Sequence, residues 1–260
     1  MIESVRKAMR ILSVLSDAAG GAVTLAEISE RTDYPKPTCA HILKTLSEEG
    51  YALRISHTEG YTLGPGAYYL TRHGRYEEKL VTLCRPVMRY IERKSGAAVV
   101  LSVIRNSDKF IIDTHDTSQN IFKRGAQIRI DDIYRTATGR AILAEIPEED
   151  VRAVYKKHGP PPPGHWEEVD GIDSLLSELK SIRKQKFVIT RGLRSKTDRS
   201  ALGMARAIFD KKHCIGAVGL AVWDEGIDGE ELVKLRSVLT KGVAEIQRRL
   251  NFESNIKTNI

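Results

Sequence analysis

The stretch TLAEISERTDYPKPTCAHILKTL, residues 24–46, constrains this chain more than any other. It holds two short amphipathic runs with turn chemistry between them. In the first, Leu25, Ala26 and Ile28 make one apolar face. In the second, Cys39, Ile42, Leu43 and Leu46 recur at i, i+3, i+4 and i+7, which gathers them on one side of a helix. The opposite side carries Lys36, Ala40, His41, Lys44 and Thr45. Between the runs lies Thr32-Asp33-Tyr34-Pro35. Aspartate tolerates a positive φ better than most residues, and proline presets φ for helix entry. Pro37 falls in the first turn of the second helix, where its missing N–H is no loss. Two short helices, a tight turn and a polar outer face on the second predict a helix-turn-helix, whose second helix can enter the DNA major groove.

The flanks extend this reading. Residues 51–55 and 60–64 are strand-like runs around a polar tip, Ser56-His57-Thr58-Glu59, and predict a β-hairpin of the wing type. A winged helix used for protein contacts is the alternative to DNA binding. Upstream, 4–16 reads as an amphipathic helix with Val5, Ala8, Ile11, Leu12 and Leu15 on one face and Ser4 as its N-cap. Thr24, followed three residues later by Glu27, is a capping-box pattern. Gly64-Pro65-Gly66 breaks the chain after the wing, and 67–75 reads as a connecting helix with Tyr68, Tyr69 and Leu70 as an adhesive face.

Beyond residue 80 the pattern changes. Helices are expected at 80–93, 136–145, 148–158, 172–185 and 229–250, and strands at 97–104, 109–113, 127–130, 187–190, 203–209 and 215–222. Strands and helices mix without strict βα alternation. That predicts an α+β fold with one antiparallel sheet covered by helices. The prolines at 160–163 form a stiff connector. Thr138 is read as the N-cap of the helix at 136–145, whose free N–H groups can also receive an anionic group if they face a cavity.

A net charge of +7 invites a nucleic-acid argument, but its distribution undercuts the simple version. Residues 1–79 hold ten basic and ten acidic side chains, so the whole excess lies in 80–260. Phosphate contacts must then come from locally placed Arg6, Lys36, Lys44 and Arg54. The three cysteines lie far apart and match neither a disulfide framework nor a zinc spacing, so each reads as a small buried hydrophobe. No apolar run is long enough to span a membrane and no secretory leader opens the chain, so no membrane partner and a cytoplasmic location are expected. The seven histidines form no metal motif, and neither a nucleophile elbow nor a Walker loop occurs. No cofactor, no metal and no catalytic residue are expected, although an enzyme with an appended winged helix stays as a rival.

Taken in order, Ser4-Val5-Arg6-Lys7-Ala8, Leu25-Ala26-Glu27-Ile28, Pro35-Lys36-Pro37-Thr38, Leu43-Lys44-Thr45-Leu46, Glu49-Gly50-Tyr51, Tyr61-Thr62-Leu63-Gly64, Arg85-Pro86 and the run 136–144 resemble the IclR family of bacterial transcriptional regulators over nearly the whole chain. The resemblance implies a winged helix-turn-helix DNA-binding domain at 1–64, a linker helix at 65–79 and a GAF/PAS-like effector-binding domain at 80–255. It implies a homodimer or dimer of dimers on double-stranded operator DNA, controlling genes that are commonly catabolic in response to a small effector, a carboxylate. On the DNA side it points to Arg6, Lys36, Thr38, Ala40, His41, Lys44, Thr45 and Arg54. Two departures stand out: Asp33 where the family usually has glycine, and His41 where a recognition-helix arginine is common.

The effector side departs further. The family's acidic pair is replaced by Thr190-Arg191, its cysteine by Gly203, and Gly219 and Ala221 align best with its serines, within a shift of one residue, while only the Ala137-Thr138 turn is kept. Arg191 apart, these and Gly139 are the residues the resemblance assigns to the effector. These changes predict a larger and less polar pocket. Lys184, Lys186, Arg191, Arg194, Lys196 and Arg199 make the neighbouring loop basic, either as solvated surface or as a cap that attracts an anion. A regulator whose second domain has lost its ligand and serves only for assembly is the rival within the same class.

Overall fold

The computed structural model describes residues 2–16, 18, 21–56, 58–70, 77–117, 133–193 and 200–258, and the chain divides into one unit ending near Tyr76 and a second beginning at Glu77. In the first unit, α1 (Glu3–Ser16), α2 (Leu25–Thr32) and α3 (Lys36–Glu48) are followed by a hairpin of β1 (Ala52–Ser56) and β2 (Gly60–Leu63) and a short α4 (Pro65–Tyr69). The three helices close on Ile11, Val14, Leu15, Ile28, Cys39, Leu43 and Leu46. Burying each such side chain contributes about 1.5–3 kcal/mol, enough to hold helices too short to persist alone.

Local chemistry sets the boundaries of α2. Thr24 and Glu27 form the expected capping box: the Thr24 N–H donates to Glu27 Oε2 at 2.8 Å, and the Glu27 N–H donates to Thr24 Oγ1 at 3.2 Å. The helix ends at Asp33, which adopts φ 58° as its C-cap and donates its N–H to the Ser29 carbonyl. Four details differ from the expectation. Ala26 is exposed, and Thr32 takes the inner position by donating its hydroxyl to the Ile28 carbonyl at 2.6 Å. Helix α1 starts at Glu3, so Ser4 lies inside it and is not its cap. Val5 is 51% exposed because the core reaches α1 only from Ala8 onward. Helix α4 ends at Tyr69, with Tyr68 and Tyr69 exposed; the expected helix residues 71–75, like His57 at the wing tip, lie outside the described residues.

The second unit is built on a five-stranded antiparallel sheet in the order β4-β3-β7-β6-β5, formed by β3 (Ala98–Arg105), β4 (Asp108–His115), β5 (Val188–Leu193), β6 (Ser200–Asp210) and β7 (His213–Trp223). The fold is thus α+β. The expected strand at 127–130 lies outside the described residues. Because side chains alternate across a strand, the two faces have different chemistry. One presents Val99, Leu101, Leu202, Met204, Val218 and Leu220 to α5 (Glu78–Ser95) and α9 (Gly229–Thr258), which supply Val87, Met88, Ile91, Leu235 and Leu239. Arg85 of α5 clamps the edge strand with two parallel bonds to Asp113, at 3.0 and 3.1 Å. The other face carries α6 (Ala137–Leu143). Helices α7 (Glu148–His158) and α8 (Ile172–Gln185) pack beside it through Leu143, Val151, Val154, Leu175 and Leu179.

Candidate DNA interface and effector face

On α3 the inward residues Cys39, Leu43 and Leu46 leave Lys36, His41, Lys44 and Thr45 exposed on the opposite side, while Thr38 and Ala40 are half-buried at its edge. Lys44 Nζ stands 3.9 Å from Glu48, with both side chains well exposed. Such a pair holds weakly and leaves the ammonium available to a phosphate. Arg54 projects from β1 with its guanidinium 5.7 Å from the ring centre of Tyr61. Arg6 is paired with Glu3 on the same helix, an exposed pair that a phosphate has to displace.

Two cations escaped the sequence reading. Lys7 and Arg10 of α1 lie 5.5 and 5.9 Å from the ring centre of Tyr34, the aromatic residue of the helix-turn-helix turn. Their i, i+3 spacing put them on one face of α1. That the turn tyrosine would meet this face is a tertiary fact.

In the second unit, the polar cap of α6 is Thr136, whose hydroxyl accepts from the Gly139 N–H at 3.2 Å. Thr138 is therefore not the cap. It is buried and accepts a hydrogen bond from the buried Ser102 hydroxyl at 3.1 Å, tying α6 to β3. Gly139 is required where it stands, since a Cβ there would lie 2.0 Å from the Ile133 carbonyl oxygen. Arg140, next in the helix, donates to the Tyr134 and His165 carbonyls and stacks 4.0 Å over Trp166. Burial pulls its pKa down to about 10, so it stays charged at neutral pH.

The sheet under α6 is paved with small side chains in register. Ala98, Ala221, Gly203 and Thr190 form one row across β3, β7, β6 and β5; Val100, Gly219, Ala205 and Val188 form the next. The helix uses that flatness. A Cβ on Gly219 would lie 2.7 Å from Thr138 Cγ2, and one on Gly203 would lie 3.6 Å from Ala137 Cβ and 2.9 Å from Thr190 Oγ1. Gly219 thus does not enlarge a hollow: α6 descends into the space its missing side chain leaves. Beyond the start of α6 the paving continues half-buried, through Gly203 and Ala221 to the row of Gly192, Ala201 and Trp223.

A hollow of about 860 Å³ lies at the other end of α6, between Ile104, Ile142, Glu145, Leu176, Arg183 and Cys214, and holds none of the residues expected to bind an effector. Of the basic residues near β5, Arg191 pairs with Asp224 at 3.1 Å, Lys184 and Lys186 are exposed, and Arg194, Lys196 and Arg199 lie outside the described residues. Among the described residues no helix is long and apolar enough to cross a membrane.

A winged helix-turn-helix with an exposed polar recognition face, in one chain with a helix-covered sheet domain, defines a DNA-binding transcriptional regulator. The IclR helix-turn-helix domain matches residues 4–55, and the C-terminal domain of bacterial IclR transcriptional regulators matches residues 76–248; the chain belongs to the IclR family. It is 21% identical over 251 residues to the transcriptional repressor IclR of Escherichia coli K12, covering 94% of this chain and 89% of that protein. Among solved structures it resembles an IclR regulator from Alicyclobacillus acidocaldarius, with a TM-score of 0.70 at 19% identity over 96% of this chain and 99% of the other. It also resembles an IclR homologue from Microbacterium hydrocarbonoxydans complexed with 4-hydroxybenzoate, with a TM-score of 0.69 at 17% identity over 95% and 98%.

Proposed function

We propose that the protein acts in the cytoplasm as a one-component regulator. It binds a pseudo-palindromic operator as a homodimer or dimer of dimers, and a small carboxylate bound in its second unit changes operator affinity. In this reading residues 1–64 hold the DNA, 65–79 form the linker and 80–255 the sensor. Lys36, Thr38, Ala40, His41, Lys44 and Thr45 of α3 approach the major groove, and Arg54 and a released Arg6 approach phosphates. The effector lies on the small-residue paving where α6 begins, against Ala137, Thr138, Gly139, Thr190, Gly203 and Ala221, with Gly219 admitting the helix.

One observation carries the sensor reading: the paving continues past the start of α6, half-buried and bordered by the hydroxyl of Thr190. The bound 4-hydroxybenzoate of the Microbacterium homologue supports an acid as the ligand class, and related repressors support catabolic targets. The test is fluorescence anisotropy on DNA from the gene's own upstream region, titrated with and without a panel of sugar acids and aromatic acids. Acid-dependent change in operator affinity is expected, and Gly203→Leu, which fills the paving beside Thr190, is expected to abolish it. Operator binding indifferent to every acid would favour a domain kept only for assembly. Protection of a single asymmetric half-site by a monomer would overturn the dimeric reading.

A further inference from the structure

We infer that Arg135 and Thr190 together hold the carboxylate of the effector, above a floor made by Gly192 and Gly203. The inference rests on the effector reading given above and names the residues and ligand chemistry of that site. The start of α6 itself offers little to an acid: the helix has only 7 residues, and Thr136 already takes the Gly139 N–H.

Arg135 immediately precedes that cap and is half-buried. Its Nε lies 3.7 Å from where a Cβ on Gly192 would sit, and among the described residues, chain neighbours aside, no other atom comes within 4 Å of that point. The guanidinium therefore lies over Gly192. Several other arginines of the unit have carboxylate partners, as Arg85 has Asp113, Arg105 has Glu77 and Arg191 has Asp224, and Arg140, Arg183 and Arg206 donate to backbone carbonyls. Among the described residues Arg135 has neither ion pair nor hydrogen bond. A partly desolvated guanidinium without a counter-ion is a strong site for a planar anion, because its fork matches a carboxylate and water competes less well there.

The second donor is Thr190. It is 9% exposed, its Oγ1 lies 2.9 Å from the Cβ position of Gly203, and among the described residues its hydroxyl has no partner. A hydroxyl that has no protein partner is free to donate to an acceptor placed over the paving. Thr190 and Gly192 lie on the same face of β5, two residues and so roughly 7 Å apart. Both donors thus border the same face of β5, on either side of one short stretch of paving. The body of the ligand then lies along Ala201, Ala221 and Trp223, whose strand positions share this face. A flat apolar ring suits that surface. The ligand class is a monocarboxylate on a flat apolar body, with its acid group toward β5.

The test is calorimetric titration of the full chain with matched acids and primary amides: benzoate and benzamide, 4-hydroxybenzoate and 4-hydroxybenzamide, cyclohexanecarboxylate and its amide. At least one acid is expected to bind while its amide does not. Arg135→Gln is expected to weaken that acid about 10- to 100-fold, Arg135→Lys less, and Thr190→Val several-fold, with Thr190→Ser restoring affinity. An acid that binds Arg135→Gln and wild type equally overturns the assignment of Arg135 and leaves the effector reading intact. Equal binding of acid and amide overturns carboxylate recognition. Absence of binding by all six compounds removes the ligand class itself.

Discussion

The methyl group of Thr138 occupies the space that a side chain on Gly219 would need: only 2.7 Å separates Thr138 Cγ2 from a Cβ built on that glycine. The Met204 carbonyl oxygen, 2.9 Å away on the next strand, blocks escape in the other direction. Gly219→Ala must therefore lift α6 or bend β7. Overpacking of this kind costs about 1–3 kcal/mol. A lowered urea midpoint would report it, against Gly229→Ala, where nothing lies within 4 Å and stability should be unchanged or slightly raised.

On the recognition helix, Lys44 and His41 are both exposed but should behave differently. Lys44→Ala is expected to weaken all DNA about equally and to lower the salt slope by roughly one for each phosphate the lysine had neutralised. His41→Ala is expected to cost specificity, about 1–3 kcal/mol for each base pair it reads. Anisotropy titrations on operator and random DNA at several salt concentrations separate the two. Equal losses of His41→Ala on both DNAs would assign it to phosphate.

Asp33 ends α2 at φ 58°, a conformation that glycine reaches freely, and it sets a negative charge at a helix C-terminus. Asp33→Gly removes both penalties and should stabilise the first unit by about 0.5–1 kcal/mol. Asp33→Val, β-branched at positive φ, should destabilise it by about 1–2 kcal/mol. Hydrogen exchange of α2 and α3 amides reads this unit separately from the rest of the chain.

The capping box is also a pH device. Hydrogen bonds from the Thr24 backbone and then its hydroxyl hold the Glu27 carboxyl below the usual carboxylate range. Its folded pKa is thus lower than its unfolded one. The stabilisation is present above the ordinary value of about 4.3 and is lost as pH falls through the folded pKa. The gap in melting temperature between wild type and Glu27→Gln should shrink as pH drops from about 6 to about 3. A gap independent of pH would show that the carboxylate charge contributes nothing.

How much of this was legible beforehand follows from the range of the interactions. The α3 stripe of Cys39, Leu43 and Leu46, the Thr24–Glu27 box and the turn at Asp33 all depend on residues within one or two helical turns, and all were readable in order along the chain. The antiparallel α+β character followed from runs of β-branched residues separated by turns. What the local pattern left open was decided by packing between distant segments. Whether Thr136 or Thr138 caps α6 depends on Ser102, thirty-odd residues upstream, taking the second hydroxyl into the core. Whether Gly219 opens a cavity or admits a helix depends on α6 packing against a strand eighty residues later. Ala26 and Val5 were apolar at the right spacing, yet both are exposed. Nothing in the local pattern singles out Arg135, which is distinguished only by lying over Gly192 of β5. Periodicity and capping are written in the chain because they are local; which small residue is a floor, and which cation lacks a partner, is determined only when strands far apart in sequence come into register.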